Sequence, residues 1–284
     1  MKKKFGNLFI IPTPIGNIND ITYRAIKTLK KIDYIASENY KNTLKLLNKF
    51  NIKKSIISFH QHNEIKNTKK IIKKIKKKKN IALVSDAGTP TINDPGYFLV
   101  KECYIKKIKV IPLPGACSII SALSASGIPS NKFCFEGFLP SKKIKRCKIL
   151  KKLKYETRTL IFFESPHRIK NSLKNILKIF GKNRKITIAR EITKFWESIK
   201  HNTIYNLFNK YKNNLLICKG EIVLVIEGHK IKKKKISKKI KKTLNFLKSE
   251  LSLKKTAILT SKIHKINKNI LYKYLIKKQN HDTN

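Results

Sequence analysis

Acidic residues are scarce in this sequence. Asp and Glu together number 16 among 284 residues, against 66 for Lys and Arg, which gives a formal net charge of +50. A charge of this size is typical of nucleic-acid-binding proteins. Arginine is scarce as well, with 6 Arg beside 60 Lys, and Lys, Ile and Asn together fill 130 positions. Because all three have A/T-rich codons, a uniform codon bias explains much of the lysine excess, and the net charge alone decides little.

Long apolar segments, paired cysteines and common nucleotide-binding motifs are also missing. No segment approaches the ~20 apolar residues of a membrane-spanning helix, and the first residues lack the apolar core of a signal peptide, which favours a cytoplasmic protein. The five cysteines form no C-x-x-C pair, which argues against a disulfide framework or a metal site. No G-x-G-x-x-G, G-x-x-x-x-G-K-[ST] or H-E-x-x-H is found, so dinucleotide, P-loop and zincin classes lack their motifs.

The first part of the chain alternates short β-rich segments with amphipathic ones. Helical spacing of apolar residues predicts helices at Ile21–Ile32, Thr43–Phe50 and Ile65–Lys79. The predicted strands are Leu8–Pro12, Tyr34–Ala36, Ser55–Phe59, Ile81–Ser85 and Val110–Leu113. This β-α-β-α order predicts a mostly parallel sheet covered by helices, with ligands at the carboxyl ends of the strands.

A second mixed α/β segment follows, and then a basic tail. The predicted elements of the second segment are a helix at Cys117–Ala125, strands at Lys132–Phe138 and Thr159–Phe163, a helix at Pro166–Phe180, and strands at Lys185–Ala189 and Glu221–Ile226. Residues 230–284 hold 18 Lys against two acidic residues, with apolar residues at helical spacing. We therefore predict three domains, 1–117, 118–229 and 230–284, the last a small basic helical domain behind a Lys-rich linker, Lys232–Lys242. The alternative for the tail is a Lys-rich extension without a specific fold.

Three turns that follow predicted strands are candidates for ligand contact. They are Pro12–Asn17, Ser85–Pro90 with its continuation Asn93–Gly96, and Pro112–Ser118. The second turn carries two carboxylates, Asp86 and Asp94, which suit a cationic centre or hydroxyl groups and suit a phosphate poorly. The alternative is structural, because Asp often forms an Asx-turn or caps a helix.

Eight strings in this order resemble one family. They are PTPIGN, HQHNE, SDAGTP with INDPGY, PLPGACS, GFLPSKK, FFESPHR, AREITKFWE and KGEIVLVIEGHK. They resemble RsmI, the bacterial 16S rRNA (cytidine-2′-O)-methyltransferase family, strongly over about residues 8–230 and more weakly in the tail. The resemblance implies an α/β protein with two domains of the tetrapyrrole-methylase (class III methyltransferase) fold, S-adenosyl-L-methionine in the cleft between them, and a homodimer.

The resemblance also implies a set of cofactor contacts. These are Pro14, Gly16, Ser85, Asp86, Ala87, Gly88, Gly115, Ala116, Cys117, Phe162, Phe163, Glu164 and Glu221. The chain departs from the family pattern at Asn39-Tyr40-Lys41, where relatives typically carry an acid and an arginine, and at Ala116, where a proline is usual. Lys41 keeps the positive charge without the planar fork of arginine. These departures affect substrate affinity or pose rather than the reaction class.

Methyl transfer to a ribose 2′-hydroxyl depends mainly on positioning, assisted by a base. Candidate bases are Glu38, His62, Asp94 and Glu164, and the sequence does not choose among them. Lys41, Arg168, Arg190, Lys194 and the tail are candidates for contacting the phosphates of 16S rRNA in the small ribosomal subunit. Trp196 is a candidate for stacking on a splayed base, with core packing as the alternative.

Two other functions stay open at this stage. A class III enzyme of the same fold can act on a small molecule or a protein, although HQHNE, FFESPHR and the basic tail speak against it. A non-enzymatic ribosome-assembly factor would bind RNA through its charge alone, and the intact SDAGTP and INDPGY turns argue against that. No metal is expected.

Overall fold

A computed structural model of the chain describes residues 5–216, 219–230 and 236–282, without the side chains of 277, 278 and 280–282. The chain forms two compact units, residues 1–229 and 230–284. The first unit contains two five-stranded sheets. Among the described helices, none combines the length and the apolar character that crossing a bilayer requires.

The first sheet is entirely parallel. Its strands are β1 Leu8–Ile10, β2 Tyr34–Ser37, β3 Ser55–Ser58, β4 Ile81–Val84 and β5 Val110–Pro112, in the spatial order β3-β2-β4-β1-β5. Every residue of β4 is buried, as expected for a central parallel strand covered on both faces. The parallel arrangement confirms the predicted class and brings the carboxyl ends of all five strands to one edge.

Helices cover both faces of the first sheet and lead into the second. They are α1 Tyr23–Lys31, α2 Tyr40–Lys49, α3 Glu64–Lys76 and α4 Tyr97–Ile105. The next helix, α5 Ser118–Ser124, packs on the second sheet. Helix α2 begins three residues before the predicted Thr43, because the side chain of Asn39 caps it by accepting from the backbone N–H groups of Lys41 and Asn42. Asn is among the best N-cap residues, so the departure at Asn39 serves the helix start.

The second sheet is mixed. Its strands are β6 Phe133–Phe138, β7 Thr159–Glu164, β8 Lys185–Arg190, β9 Ser198–Thr203 and β10 Ile222–Ile226, in the order β6-β7-β10-β8-β9. Only β6 and β7 are parallel, and β10 runs antiparallel between β7 and β8. Strand β9 is absent from the sequence prediction because its edge position leaves SIKHNT without an apolar alternation.

Three helices accompany the second sheet: α6 Lys143–Lys152, α7 Ile169–Phe180 and α8 Ile204–Lys212. The sequence prediction contained only α7, whose apolar face is regular. The lysines of α6 obscure the apolar period of that helix. Helix α8 has a regular buried face of Ile204, Leu207 and Tyr211, which the sequence prediction missed.

The second unit is helical in the part that the structure describes. Its helices are α9 Lys238–Glu250, α10 Leu253–His264 and α11 Lys268–Asp282. Ile240, Leu244, Ala257, Leu271 and Leu275 form its buried core, so the tail has a packed fold of its own. The predicted linker Lys232–Lys242 is wrong at its end, because residues 238–242 belong to α9; residues 232–235 of that linker lie outside the described residues.

Candidate active site

Loops from the two sheets of the first unit meet at the carboxyl edge of the first sheet. The backbone N–H of Asn17, after β1, donates to Thr193 Oγ1, after β8, at 3.0 Å. Gly16 allows this approach, since a Cβ there would lie 2.7 Å from Thr193 Oγ1. Residues 176 positions apart in sequence are thereby brought together at the edge where ligands bind in sheets of this kind.

The main cleft between these loops has a volume of about 610 Å³. Its wall combines apolar side chains, such as Phe138, Phe163 and Ile192, with the carboxylates of Asp94, Glu164 and others. The full lining is Ile15, Ala87, Asn93, Asp94, Ser118, Phe138, Phe163, Glu164, Ser165, Pro166, Glu191, Ile192, Lys194, Gly220, Glu221, Ile222 and Val223. Such a mixed wall suits a ligand with both an apolar ring and polar groups.

A side pocket of about 450 Å³ adjoins the main cleft on the first-sheet side. Helix α2 contributes Asn42, Lys45 and Lys49 to its wall, and the pocket shares Ile15, Ala87, Lys194 and Glu221 with the main cleft. Its other lining residues are Thr13, Pro14, Gly16, Ile18, Thr43, Leu46, Ser85 and Asp86. The side pocket is therefore the more basic of the two.

Three carboxylates gather at the ends of β2 and β4: Glu38, Asp86 and Asp94. Burial, together with the neighbouring charges of Glu38 and Asp86, raises the pKa of Asp94 to about 6 against the lowering effect of a Ser85 hydrogen bond. Burial, followed by the charge of Asp86, also raises the pKa of Glu38. Of the three, Asp94 alone lines the main cleft, so the cleft presents a carboxylate that is more basic than an ordinary aspartate.

The loop that carries Asp94 is held by a residue that the sequence analysis did not single out. Glu64 is buried, and its Oε1 accepts from the backbone N–H groups of Gly96 at 2.8 Å and Phe98 at 3.1 Å. These groups open α4, so Glu64 caps this helix from α3. The only sequence signal was its place in HQHNE, because a cap from another helix leaves no local pattern.

Glu164 is fully engaged in structural contacts. Its carboxylate accepts from the backbone N–H of Ser165 at 2.7 Å and from the Ser172 hydroxyl, and it pairs with Arg168 Nη2 at 3.2 Å. It lies at the wall of the main cleft with 2% exposure. Arg168, a predicted phosphate contact, is thus the ion-pair partner of a buried carboxylate.

A loop between β8 and β9, residues 191–197, forms one side of the cleft. Lys194 Nζ lies 2.9 Å from Glu191 Oε1 and 3.3 Å from Glu221 Oε2. Burial opposes the charge of Lys194, but its hydrogen bond to Glu191 and the charge of Glu221 raise its pKa overall. Arg190 is buried, and its guanidinium donates to Ser198 Oγ and to the carbonyls of Lys219 and Trp196. Arg190 therefore braces the loop, in contrast to its expected place at a phosphate.

The predicted cofactor residues divide into three groups. Eight of them line the main cleft or the side pocket: Pro14, Gly16, Ser85, Asp86, Ala87, Phe163, Glu164 and Glu221. Four lie behind the wall: Gly88, Gly115, Ala116 and Cys117, with Thr89 Oγ1 donating to Ala116 O at 3.0 Å. The side chain of Phe162 is buried in the core on the opposite face of the sheet, which leaves only its backbone for a ligand contact.

The remaining predicted residues lie outside the cleft walls. His62 and Lys41 are exposed and line neither pocket. Glu38 also lines neither pocket, and it interacts with Asp86. His60 faces Glu38, and its Nδ1 is buried without a hydrogen-bond partner. Within the described parts of the chain, no three His, Cys, Asp or Glu side chains cluster as metal ligands would.

Comparisons with known proteins agree with this geometry. Residues 7–207 match the family model of Tetrapyrrole (Corrin/Porphyrin) Methylases. The chain is 54% identical over 275 residues, 96% of this chain and 98% of the relative, to Ribosomal RNA small subunit methyltransferase I of Buchnera aphidicola subsp. Acyrthosiphon pisum (strain APS). It is 47% identical to the protein of that name from Escherichia coli O157:H7, over 96% of each chain. The chain belongs to the ribosomal RNA small subunit methyltransferase I family.

Solved structures place the family in its fold class. The crystal structure of diphthine synthase matches 78% of this chain and 90% of its own, with a TM-score of 0.59 and 14% sequence identity. This likeness confirms the predicted tetrapyrrole-methylase fold, with its two α/β halves. Members of this family extend the match to 96% of the chain, which includes most of the second unit.

Proposed function

We propose that the protein transfers a methyl group from S-adenosyl-L-methionine to the ribose 2′-hydroxyl of a cytidine in the decoding region of 16S rRNA. The observation that carries this proposal is the length of the similarity. Relatives named for small-subunit rRNA cover 96% of the chain, whereas diphthine synthase covers 78%. The match to the wider methylase family ends at residue 207, before the basic helical unit, which suits a polyanionic substrate.

The main cleft fits S-adenosyl-L-methionine in size and in chemistry. Its apolar side chains, Phe138, Phe163 and Ile192 among them, suit the faces of an adenine ring, and its carboxylates suit ribose hydroxyls and a cationic tail. Gly220 has φ +82°, and a Cβ there would overlap the Glu191 side chain. Glycine therefore lets the backbone at this position pass close to Glu191 in the cleft wall. We propose that Ile15, Ala87, Phe163, Glu221 and Val223 hold the cofactor there.

When bound, this cofactor supplies a methyl group on a positively charged sulfur, a good electrophile for an oxygen nucleophile. The protein then has to hold the ribose in line and remove the hydroxyl proton. We propose Asp94 Oδ as the acceptor of this proton. Asp94 lines the cleft and is more basic than an ordinary aspartate. The oxygens of Glu164 are already engaged, and His62 and Glu38 line neither pocket.

We further propose that the side pocket guides the substrate. Lys45 and Lys49 in its wall suit the phosphates next to the target ribose, whereas Lys194 is already paired with Glu191 and Glu221. Lys41 lies at the start of the same helix as Lys45 and Lys49, α2. Phosphate contacts of this kind position RNA without reading its sequence. The basic second unit, residues 230–284, adds contacts to more distant phosphates of the small subunit.

We also propose that the enzyme acts in the cytoplasm, as a homodimer and without a metal ion. A small-subunit substrate would be met in the cytoplasm. The resemblance to its family supports a homodimer, which sedimentation equilibrium of the full chain would measure. In-line displacement from a sulfonium needs no Lewis acid, so enzyme that has been treated with EDTA and then freed of the chelator should methylate Mg²⁺-containing small subunits at an unchanged rate.

The decisive experiment supplies labelled S-adenosyl-L-methionine with either purified small ribosomal subunits or naked 16S rRNA and maps the methylated nucleotides. We expect label on the ribose of one decoding-region cytidine. Cofactor binding without transfer to RNA would contradict the proposal. Label on a base, or on a small molecule or protein instead, would also overturn it.

A further inference from the structure

Two adjacent aromatic side chains project from the first unit into solvent. Phe195 is 90% exposed and Trp196 is 66% exposed. Their ring centroids are 4.9 Å apart, with the planes at 89°. Burying aromatic rings is strongly favourable, and an exposed apolar patch of this kind marks an interaction surface.

The loop below these rings is tightly braced. Arg190 Nη2 donates to Trp196 O at 2.7 Å, and the Glu197 carboxylate accepts from the Thr193 N–H at 2.6 Å. Lys194 N also donates to the carbonyl of Glu191 at 2.9 Å. A partner that docks on rings held in place loses little affinity to the ordering of the loop.

The same loop is part of the active-site wall. Glu191, Ile192 and Lys194 line the main cleft, and Lys194 lines the side pocket as well. Phe195 follows directly in the chain. The exposed rings therefore belong to the two residues that follow Lys194 of the cleft wall, on the same braced loop.

We propose that Phe195 and Trp196 form a stacking platform for an unpaired base of the substrate RNA beside the target nucleotide. This inference rests on the proposed function. Single-stranded RNA is recognised largely by stacking its splayed bases on aromatic side chains. Lys219, whose carbonyl accepts from Arg190 Nη1 at 3.3 Å, and Lys200 are both exposed near this loop, and they would meet the phosphates on either side of the stacked base.

A second copy of this chain is a less suitable occupant. Two aromatic side chains bury about 150–250 Å² each, well below the ~800 Å² per partner of a stable interface. The lysines around the rings attract a polyanion and repel an identical basic surface.

Trp196 is the only tryptophan of the chain, so intrinsic tryptophan fluorescence reports on this position alone. We would titrate the full-length protein with a single-stranded, cytidine-containing RNA oligonucleotide and with an abasic oligonucleotide of the same length and charge. Stacking should quench the fluorescence with the first oligonucleotide and leave it nearly unchanged with the second. Equal quenching by both would mean that charge alone brings RNA to the loop, and would overturn the proposal.

Kinetics on small ribosomal subunits provides the second measurement. Trp196→Ala and Phe195→Ala should each raise KM for the subunit roughly tenfold, with cofactor affinity unchanged, and Trp196→Phe should restore most of the loss. Tyr104→Ala is the matched control. Tyr104 is 69% exposed near the end of α4, at the amino edge of the first sheet and so remote from the cleft, and its removal should leave KM unchanged.

The outcomes separate this inference from the proposed function. If the wild-type protein methylates no RNA, the proposed function fails. If the wild-type protein methylates RNA and both alanine variants keep its KM, the stacking platform is wrong while the proposed function stands. A fluorescence change on dilution of the protein without RNA, with loss of a dimer in Trp196→Ala, would assign the rings to a self-interface instead.

Discussion

Two carboxylates in the wall of one cleft, Asp94 and Glu164, differ in what their oxygens already bind. Glu164 accepts from Ser165 and Ser172 and pairs with Arg168. Asp94 keeps fewer partners and lies among like charges, which disfavour its ionised form. The contacts of Glu164 stabilise the end of β7, whereas those of Asp94 leave an oxygen free to take a proton.

The variant Asp94→Asn should lose activity without losing stability. The raised pKa of about 6 means that ionised Asp94 destabilises the fold above pH 6 and does so less as the pH falls through that value. We expect the variant to be as stable as the wild type at pH 7.5, or more stable by about 1 kcal/mol after allowing for solvent screening, while kcat falls by roughly 10²-fold or more.

The pH dependence of the reaction gives the check on Asp94. In the wild type, kcat should rise with pH through about 6 and then level off, because a base acts only when it is ionised. This limb should be missing from the residual activity of Asp94→Asn. A variant with wild-type kcat, or with the same limb, would remove Asp94 from the mechanism.

At the scale of the element, α4 illustrates how the start of one helix holds the loop that carries the proposed base, Asp94. The helix starts at Tyr97, after Gly96 at φ +138°, without a side-chain cap of its own. Glu64 of α3 supplies the missing acceptor. The sequence-based alternative of Asp94 as a helix cap is wrong, because the N-cap residue is Gly96 and Asp94 is left to face the cleft.

Glu64→Gln tests this cap. The neutral amide keeps one acceptor oxygen but loses the charge at the helix N-terminus, so we expect a loss of about 1–2 kcal/mol in the free energy of unfolding, measured with urea. The activity should fall as the Asp94 loop loosens. Glu102→Gln on the same helix is the control, since its 3.3 Å pair with Lys106 is at the surface and contributes little. Equal losses in the two variants would contradict the capping role.

Whole-molecule charge has a different meaning once the fold is known. Much of the +50 follows the codon bias. In the second unit, by contrast, 11 lysines of the described residues 236–276 belong to a packed helical unit. A folded unit that presents lysines at fixed positions suits docking onto RNA better than an unstructured tail does.

Lysines of this unit should set the salt dependence of substrate binding. Replacing the exposed Lys254, Lys255 and Lys262 of α10 with Gln should lower the slope of log affinity against log salt by about 2, with cofactor affinity unchanged. Replacing Lys27, Lys30 and Lys31 of α1 removes the same charge from the first unit. If both triple variants change the slope equally, RNA binds through overall charge and the second unit has no special role.

Most of the secondary structure, the ligand-binding edge and the family of this protein can be predicted from its sequence alone. Local periodicity is enough to place most strands and helices, because it decides which face of each element is buried. The turns that follow the strands predict where a ligand binds, because the carboxyl ends of parallel strands lie at one edge of the sheet. The family follows from loop strings that contain few of the lysines.

Only the tertiary structure decides which polar side chains are free to act. Arg168 and Arg190 are engaged by Glu164 and by backbone carbonyls, and Glu64 caps a helix that begins more than 30 residues later in the chain. These contacts join segments that are remote in sequence, and the packing of the two sheets determines them. A local sequence pattern does not reveal such partners. The sequence therefore determines the fold and the strand edge at which the ligand is expected, while the tertiary contacts decide which side chains at that edge keep free polar atoms.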